Sequence, residues 1–319
     1  MRSMTLCGLL LLLTLAGCGG GGGGDDAAAS DAMVDAARSI IDPGSHVWTT
    51  SDGIEIPYHI GGDPNAEMTL VFIHCWMCDR KFWDAQLPVA GERYRTVTMD
   101  LPGHGEAPDT REAWTVAQYG EDVAGLAQYL GLEDLILVGH SMGGSVSLKA
   151  AALLPGRVHG IVAVDTLHEA DFVFAGEQVE QILTAFDADF VGTCENMVGM
   201  MVPEGNAEVL EQVRASGCNG DRAEIGMALM RDFGTIDFPA WFREAGAPIR
   251  AINAAGAQPP TNIEGNRRYA DYNAVLMQGV GHYLHMTQPE TFNPLMMTWI
   301  DELAGGGAEG EAEGEGSDS

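Results

Sequence analysis

The stretch that decides the fold of this 319-residue chain is Asp134-Leu-Ile-Leu-Val-Gly-His-Ser-Met-Gly-Gly144. It begins with a short apolar run typical of a buried strand, and an apolar helical periodicity follows it as far as Leu154. Between the two lies the pattern Gly139-x-Ser141-x-Gly143, whose small residues permit a tight turn that lifts the serine hydroxyl out of the sheet. The N-terminus of the following helix favours negative charge that develops beside this hydroxyl. We therefore predict that Ser141 is a nucleophile.

A base for Ser141 is expected late in the chain, because a serine hydroxyl is a weak nucleophile until a neighbouring group takes its proton. The sequence Gly279-Val-Gly-His282 supplies a histidine just beyond the last apolar run of the chain. The chain order, the position at a strand end and the flanking glycines favour His282 as this base. His285, one turn further on, is the main rival.

Short apolar runs alternate with helix-like stretches between about residues 46 and 304, which is the pattern of a mainly parallel sheet covered on both faces. Eight strands are predicted, at residues 46–50, 54–60, 69–74, 95–100, 134–139, 160–165, 249–253 and 273–277. The segment 166–246 breaks the alternation, because it has helical periodicity, many methionines and no convincing strand. We predict an α/β fold with this segment, called the insertion below, after the sixth strand.

Two further motifs bear on the fold, Phe72-Ile-His-Cys-Trp-Met-Cys-Asp-Arg80 and Asp100-Leu-Pro-Gly-His-Gly105. With the serine and histidine motifs, they make the chain similar to the α/β-hydrolase superfamily over nearly all of residues 46–304. The resemblance implies a mostly parallel eight-stranded sheet flanked by helices, with the insertion as a helical cap. Its aromatic and methionine side chains are expected to line an apolar pocket or to form the core of the cap itself.

An oxyanion formed during acyl transfer needs two backbone N–H groups, one after the nucleophile and one from a loop after an early strand. Met142 and the loop 74–77 fit these roles. The loop is similar to the superfamily's His-Gly-Trp motif, so the resemblance implies that Trp76 supplies the second N–H group. Cys75 stands where the family usually has glycine, which bears on the backbone angles of the loop.

The acid that orients the histidine is the least determined member of the site. The family usually places it after the strand at 249–253, where this chain has no carboxylate until Glu264. The other family position is the end of the preceding strand, where Asp165 stands. We predict that Asp165 is the acid, and Glu169 and Glu264 remain alternatives.

These residues predict a serine hydrolase that cleaves a carboxylic ester or related acyl bond of a small apolar substrate. A C–C bond hydrolase or a haloperoxidase-like enzyme would use the same residues, and a non-catalytic surface lipoprotein that binds a ligand is a further alternative. We see no pattern of metal ligands or of phosphate-binding loops, so we expect no cofactor and no metal. The 46 acidic residues against 16 Lys and Arg give a net charge of −30, which disfavours nucleic-acid binding.

Four cysteines lie in the predicted domain. Cys75 and Cys78 form a C-x-x-C pair that follows a strand, but the thioredoxin-like context of a redox site is missing, because the motif does not open a long helix in a small βαβ unit. Cys194 and Cys218 lie in the insertion and are expected either to form a disulfide or to remain buried thiols.

The two ends of the chain predict an anchored protein. Residues 1–17 resemble a lipoprotein signal peptide that ends before Cys18, the expected lipidation site and membrane anchor. Residues 18–44 predict a flexible tether, residues 45–304 the catalytic domain and residues 305–319 a disordered acidic tail. The resemblance to lipoproteins implies anchoring in a bacterial cell envelope, and by the sorting pattern of that family the absence of aspartate directly after Cys18 favours the outer membrane. The oligomeric state is left open.

Overall fold

The computed structural model describes residues 42–173 and 176–305. Its eight strands are β1 Gly44–Thr49, β2 Glu55–Gly62, β3 Thr69–Ile73, β4 Arg95–Met99, β5 Leu135–His140, β6 Val158–Val164, β7 Ile249–Ala254 and β8 Tyr272–Met277. They form one sheet in the order β1-β2-β4-β3-β5-β6-β7-β8. Strand β2 runs antiparallel to β1 and β4, and the other five neighbouring pairs are parallel, so the predicted mostly parallel, eight-stranded sheet is confirmed.

Eleven α-helices connect or cover these strands within the described part of the chain. They are α1 Leu87–Gly91, α2 Val116–Tyr129, α3 Met142–Leu153, α4 Glu177–Ala188, α5 Phe190–Met201, α6 Ala207–Gly217, α7 Ala223–Phe233, α8 Phe238–Ala245, α9 Ile263–Asn266, α10 Leu284–Thr287 and α11 Pro289–Gly305. A 3₁₀ turn spans Arg80–Trp83. No helix in the described ranges is both long and apolar enough to cross a bilayer.

The central strands are buried on both faces, which explains their continuous apolar sequences. Every residue of β3 and β5 is buried, and alternate side chains point to opposite faces. One face packs against α11 in a single apolar cluster that includes Phe72, Val138, Val164 and Ile300. Helix α3 packs against both α2 and α8 elsewhere in the same unit. The sheet is thus a rigid support for the loops at its edges.

Five helices, α4 to α8, form the insertion between β6 and β7. Polar caps fix their ends: the Asp189 side chain accepts a hydrogen bond from the Gly192 amide, and Gly246 ends α8 in a left-handed conformation. Their apolar side chains share one cluster with Phe82 and Tyr283 of the sheet loops. The insertion is therefore packed onto the loops that follow β3 and β8.

The carboxyl ends of the parallel strands place four loops at one edge of the sheet. Chain order reverses between β3 and β5, since β4 lies beyond β3 while β6 lies beyond β5. In open α/β sheets such a switch point is where ligands bind, because the loops on its two sides separate. The loops after β3, β5, β6 and β8 carry Trp76, Ser141, Asp165 and His282 to this edge.

Several predictions fall on residues without a described structure. The signal peptide 1–17, Cys18 and most of the tether lie outside the described ranges, as does the tail from residue 306 onward. The last residues of the predicted tether are described, and Gly44 already begins β1.

Candidate active site

Ser141 occupies a strained turn between β5 and α3. Its backbone has φ 53° and ψ −116°, a conformation that non-glycine residues rarely adopt, and its amide donates to the Val164 carbonyl at 3.0 Å. Small neighbours are required here, because a Cβ on Gly139 would overlap the Gly143 carbonyl and one on Gly143 would overlap the Ile73 carbonyl. The Ser141 hydroxyl does not cap the helix, which leaves it available for other chemistry.

His282 and Asp165 are in direct contact. The Nδ1–H group of His282 donates to Asp165 Oδ2 at 2.6 Å, and the Ala254 amide donates to Asp165 Oδ1 at 2.7 Å. The carboxylate is 5% exposed, so both of its oxygens are held by the protein rather than by solvent. Because Nδ1 carries the proton, Nε2 of His282 has a free lone pair that can accept one. Ser141, Asp165 and His282 line the same cavity.

The alternative acids and the alternative base are engaged elsewhere. Glu169 accepts a hydrogen bond from the Asn262 side chain at 2.7 Å, and Glu264 pairs with Arg267 at the surface. His285 is fully buried, and neither ring nitrogen has a hydrogen-bond partner within the described ranges. Of the candidates considered from the sequence, the structure thus brings together Ser141, His282 and Asp165.

The two amides predicted for an oxyanion flank the serine. Met142 begins α3 directly after Ser141, and Trp76 lies in the loop after β3; both residues line a small cavity together with Ser141 and His282. Neither amide donates a hydrogen bond to any residue that the structure describes. Two unengaged donors on either side of a nucleophile are the arrangement that stabilises a developing oxyanion.

The oxyanion loop is fixed by a buried histidine and by its own turn. His74 Nε2 accepts a hydrogen bond from the Leu101 amide at 2.9 Å, so its Nδ1–H group donates to the Cys75 carbonyl, also at 2.9 Å. Burial lowers the pKa of His74 and keeps this tautomer neutral. The left-handed residue of the loop is Met77, with φ 56°, whereas Cys75 has no positive φ. A cysteine therefore fits at the usual glycine position.

Three supporting residues were not identified from the sequence. The His140 ring donates from Nε2 to the His282 carbonyl at 2.9 Å, and the Thr166 hydroxyl donates to the Ser141 carbonyl at 2.8 Å. His168 Nε2 lies 3.8 Å from Asp165 Oδ1. His140 lies inside the serine motif, and Thr166 and His168 lie one and three residues after Asp165, so proximity to predicted site residues was the available signal.

A group of buried histidines lies behind His282. The His140 ring is 4.6 Å from the His282 ring and 4.5 Å from the His285 ring, between centroids. Burial lowers the pKa of His285 to about 3 and lowers that of His140 well below its usual range. These two rings are neutral at pH 7, so they support the His282 loop without adding charge to it.

Ser141 lies at the junction of two cavities of different size. The larger, of about 770 Å³, combines apolar side chains with the polar side chains of His168, Glu169 and Gln258. Its apolar lining comprises Phe172, Met200, Met201, Phe233, Phe238 and Phe242, with several smaller residues. The smaller, of about 130 Å³, is lined mainly by methionine and aromatic side chains. No Lys or Arg is among the described residues that line either cavity.

The apolar side chains of the insertion line these cavities, form the core of the insertion, or do both. Phe172, Met197, Met200, Met201 and Met230 line a cavity. Phe186, Phe190 and Met227 pack in the apolar cluster of the insertion, which Met197, Met201 and Met230 also contact. The two alternatives expected for these residues therefore both occur.

The four cysteines of the domain form two disulfides, Cys194 with Cys218 and Cys75 with Cys78, and all four residues belong to the apolar cluster of the insertion.

No group of three or more His, Cys, Asp or Glu side chains suited to a metal ion occurs among residues 42–173 and 176–305. At the carboxyl ends of the strands the structure places a serine, a histidine and a carboxylate, with two amides beside them that donate to no described residue.

Comparisons with known sequences agree with this architecture. The model of the α/β-hydrolase fold family matches residues 69–196. The chain is similar to a 2-(acetamidomethylene)succinate hydrolase of Mesorhizobium japonicum, with 23% identity over 73% of this chain and 87% of the relative. It is also similar to a non-heme chloroperoxidase of Streptomyces lividans, with 25% identity over 79% of this chain and 98% of the relative.

Solved structures share the fold. A thermophilic esterase from Thermogutta terrifontis aligns with a TM-score of 0.68 and 23% identity, over 82% of this chain and 99% of the esterase. An enol-lactonase from Burkholderia xenovorans aligns with a TM-score of 0.69 and 17% identity, over 81% of this chain and all of the lactonase. With its eight-stranded sheet, its serine turn and a family model that matches residues 69–196, the chain has the α/β-hydrolase fold.

Proposed function

We propose that this protein is a serine hydrolase that cleaves a carboxylic ester or a related acyl bond. The observation that carries the proposal is the 2.6 Å hydrogen bond between His282 and the buried Asp165, in a cavity that also contains the strained Ser141 turn. A carboxylate, an imidazole and a serine hydroxyl in this order are the components of acyl transfer by a covalent intermediate.

In the proposed reaction, Ser141 Oγ attacks the carbonyl carbon of the ester while His282 Nε2 takes the hydroxyl proton. The amides of Met142 and Trp76 donate to the oxyanion, whose charge is greatest in the transition state. His282 then protonates the leaving alcohol, and a water molecule releases the acyl group by the same steps. Asp165 keeps the His282 ring in the tautomer with a proton on Nδ1 and stabilises its charged form.

The two cavities indicate the class of substrate. The small cavity accommodates a short apolar group, and the large one a longer group with apolar and polar parts. The large cavity contains the carboxylates of Asp165 and Glu169 but no lining cation among described residues. A neutral ester therefore fits better than an anionic one. A succinate of the kind named for the Mesorhizobium relative would lack a positive partner here. The insertion, which lines both cavities, acts as the cap in this proposal.

The proposal is tested with p-nitrophenyl esters of increasing acyl length on the full chain, with Ser141→Ala as the control. We expect turnover of neutral short and medium esters and its loss in Ser141→Ala. A fluorophosphonate probe should label Ser141 in the folded protein and should not label the Ser141→Ala variant. A folded wild-type protein that neither hydrolyses these esters nor reacts with the probe would contradict the proposal and favour a non-catalytic binding protein.

A second candidate is a haloperoxidase-like or C–C bond hydrolase activity with the same residues. Its support is the similarity to the Streptomyces chloroperoxidase over most of both chains. Halogenation of monochlorodimedone in the presence of peroxide, bromide and acetate would distinguish the first of these activities from ester hydrolysis. Cleavage of a vinylogous 1,5-diketone, measured as the decrease in its absorbance, would distinguish C–C bond hydrolysis from ester hydrolysis.

For the location of the protein we propose lipid anchoring through Cys18 in the bacterial cell envelope, facing the periplasm or the exterior. The support is the signal-like sequence before Cys18 and the two disulfides of the domain, since disulfides persist in oxidising compartments. Metabolic labelling with a radioactive fatty acid should mark the wild-type protein and not Cys18→Ala. Equal labelling of both would contradict the anchor site.

A further inference from the structure

The loop that carries the Trp76 amide is closed by a disulfide. Cys75 and Cys78 are bonded across a three-residue separation, with their Cα atoms 5.2 Å apart, and each is 2% exposed. Trp76, proposed to bind the oxyanion, is one of the two residues inside this ring. The bridge therefore constrains the backbone directly at the proposed donor.

The loop requires such a constraint because it is strained. Met77 has φ 56°, which costs free energy for a residue other than glycine, and the turn is tight enough for the Cys78 amide to donate to the Cys75 carbonyl at 3.2 Å. Cys78 Sγ also lies 3.4 Å from the Trp76 carbonyl oxygen. The bridge therefore contacts the residue whose amide is proposed to act.

Contacts on both sides hold the loop, and the bridge closes the turn between them. On the sheet side, the His74 ring holds the Cys75 carbonyl, and the Arg80 amide donates to the Asp100 side chain at 2.8 Å. On the insertion side, the Trp76 indole donates to the Gly226 carbonyl at 3.0 Å. These contacts fix the ends of the loop and one side chain. The Cys75 carbonyl and the Trp76 N–H group belong to one planar trans peptide group, so the contacts to this carbonyl also orient the N–H bond, and the bridge keeps the Cys78 amide within reach of the carbonyl.

We propose that Cys75 and Cys78 are positioning residues, whose disulfide holds the Trp76 amide toward the oxyanion, so that turnover requires the oxidised bridge. The inference rests on the proposed acyl-transfer function. A dithiol such as dithiothreitol would break the S–S bond and supply two electrons and two protons, giving two thiols and its own cyclic disulfide. The loop would then be free to leave the strained conformation at Met77, and the oxyanion would lose one donor.

The chain contains a matched control in its second disulfide. Cys194 and Cys218 are 24 residues apart within the insertion, and their bridge encloses none of the residues proposed to act. A disulfide restricts the unfolded chain more when it closes a longer loop. The bridge at 194 and 218 should therefore contribute more to thermal stability, and the bridge at 75 and 78 more to turnover.

The test compares Cys75→Ala/Cys78→Ala with Cys194→Ala/Cys218→Ala in the full chain. For the first variant we expect kcat on p-nitrophenyl butyrate to fall about 100-fold, as for loss of one oxyanion donor, with KM within about threefold of wild type. Its rate of fluorophosphonate labelling at Ser141 should fall in parallel. For the second variant we expect a larger decrease in Tm, with kcat within about threefold of wild type.

Reduction of the folded protein provides a second test, which does not require the chain to fold without the Cys75–Cys78 bridge. In the Cys194→Ala/Cys218→Ala background, dithiothreitol should lower kcat about 100-fold in step with reduction of the Cys75–Cys78 bridge, which is followed by alkylating separate quenched samples and mass spectrometry. Removal of dithiothreitol and reoxidation of the protein that was not alkylated should restore turnover. Unchanged kcat and labelling with these two cysteines removed or alkylated would overturn the inference. An equal loss of kcat in both double variants, measured below their Tm, would also overturn it. Failure of the wild-type protein to react with the probe would instead refute the proposed function, and this inference with it.

Discussion

Asp165 Oδ2 lies 2.6 Å from Nδ1 of His282, and this carboxylate projects from a backbone with φ 44°. Left-handed backbone is uncommon outside glycine, although Asp and Asn adopt it more readily than other residues. The turn brings the carboxylate back toward the sheet edge, where the Ala254 amide holds its other oxygen. A local strain at the end of β6 thus sets the orientation of a histidine 117 residues away.

Replacement of Asp165 by asparagine should abolish most of the turnover while preserving the fold. Asparagine tolerates the left-handed backbone, but it favours the wrong tautomer of His282 and cannot stabilise the charged ring. We expect kcat to fall by about 10³ to 10⁴ on p-nitrophenyl butyrate, with a circular dichroism spectrum like that of wild type. Glu169→Gln and Glu264→Gln are the matched controls and should each keep kcat within about threefold. A loss of that size in either control, with activity retained in Asp165→Asn, would reassign the acid.

The fold could be predicted to within a few residues because its signals are local. The apolar runs of β3 and β5 are continuous since both faces are buried, and Gly139 is required by a contact with the Gly143 carbonyl in the same turn. The identity of the acid was harder to predict from the sequence. Neither Asp165 nor Leu167 carries a sequence sign of its positive φ, and the partner of Asp165 is distant in the chain.

The supporting contacts of the site could not be predicted from the sequence for the same reason. His140 meets the His282 carbonyl only once β5 and the loop after β8 lie side by side. The bridge between Cys75 and Cys78 depends on a tight turn at Met77 that the spacing of the cysteines permits but does not require. Periodicity and motifs thus predict which elements form, whereas contacts between elements decide how the site is held.

The insertion contacts the histidine loop through a close backbone approach at Gly281. The His282 amide donates to the Met201 carbonyl at the end of α5 at 2.9 Å, and a Cβ on Gly281 would overlap that carbonyl oxygen. We therefore expect Gly281→Ala to displace the His282 loop, to lower the free energy of unfolding by about 1 to 3 kcal/mol, and to lower kcat at least tenfold. Chemical denaturation and ester turnover measure the two effects.

Gly256→Ala is the matched control for Gly281→Ala. Gly256 also lines the large cavity, but a Cβ there would meet no atom within 4 Å. This variant should keep wild-type stability and kcat. If Gly281→Ala behaved as Gly256→Ala does, the contact between the insertion and the His282 loop would not matter for turnover.

His285 should make the protein less stable in mild acid. Burial lowers its pKa in the folded state to about 3, below the value of about 6.5 expected for the unfolded chain. Below pH 6.5 the unfolded state therefore binds a proton that the folded state does not, so stability falls as pH falls from about 6.5 toward 3. For this one ring the loss amounts to about 2 kcal/mol between pH 6.5 and pH 4.5.

The variant His285→Phe should remove this part of the pH dependence. The ring packs against Trp83 at 4.8 Å and against Phe292 at 5.9 Å between centroids, so an apolar ring suits the site. Urea unfolding at pH 6.5 and pH 4.5 should show a smaller loss of stability in His285→Phe than in wild type. Because His282 is the proposed base, kcat at pH 7.5 should stay within a few-fold. An unchanged pH dependence would show that His285 is not the group responsible, and a loss of kcat above 100-fold would make His285 the candidate base.

Glu169 should discriminate against anionic substrates. It lines the large cavity; its Oε2 is held by Asn262, while its buried Oε1 has no hydrogen-bond partner among described residues. The butyrate and the hydrogen succinate of p-nitrophenol have acyl chains of the same length and differ by one carboxylate. For a separation taken as about 8 Å and an effective dielectric constant of about 20, the repulsion between two carboxylates is about 2 kcal/mol. We therefore expect kcat/KM of wild type to favour the butyrate at least tenfold.

The variant Glu169→Gln should reduce this preference several-fold and leave turnover of the butyrate nearly unchanged. The control is Glu264→Gln, whose side chain pairs with Arg267 outside the cavity and which should not alter the preference. A wild-type preference for the succinate, or the same ratio in Glu169→Gln as in wild type, would contradict the assignment of neutral esters as substrates of this cavity.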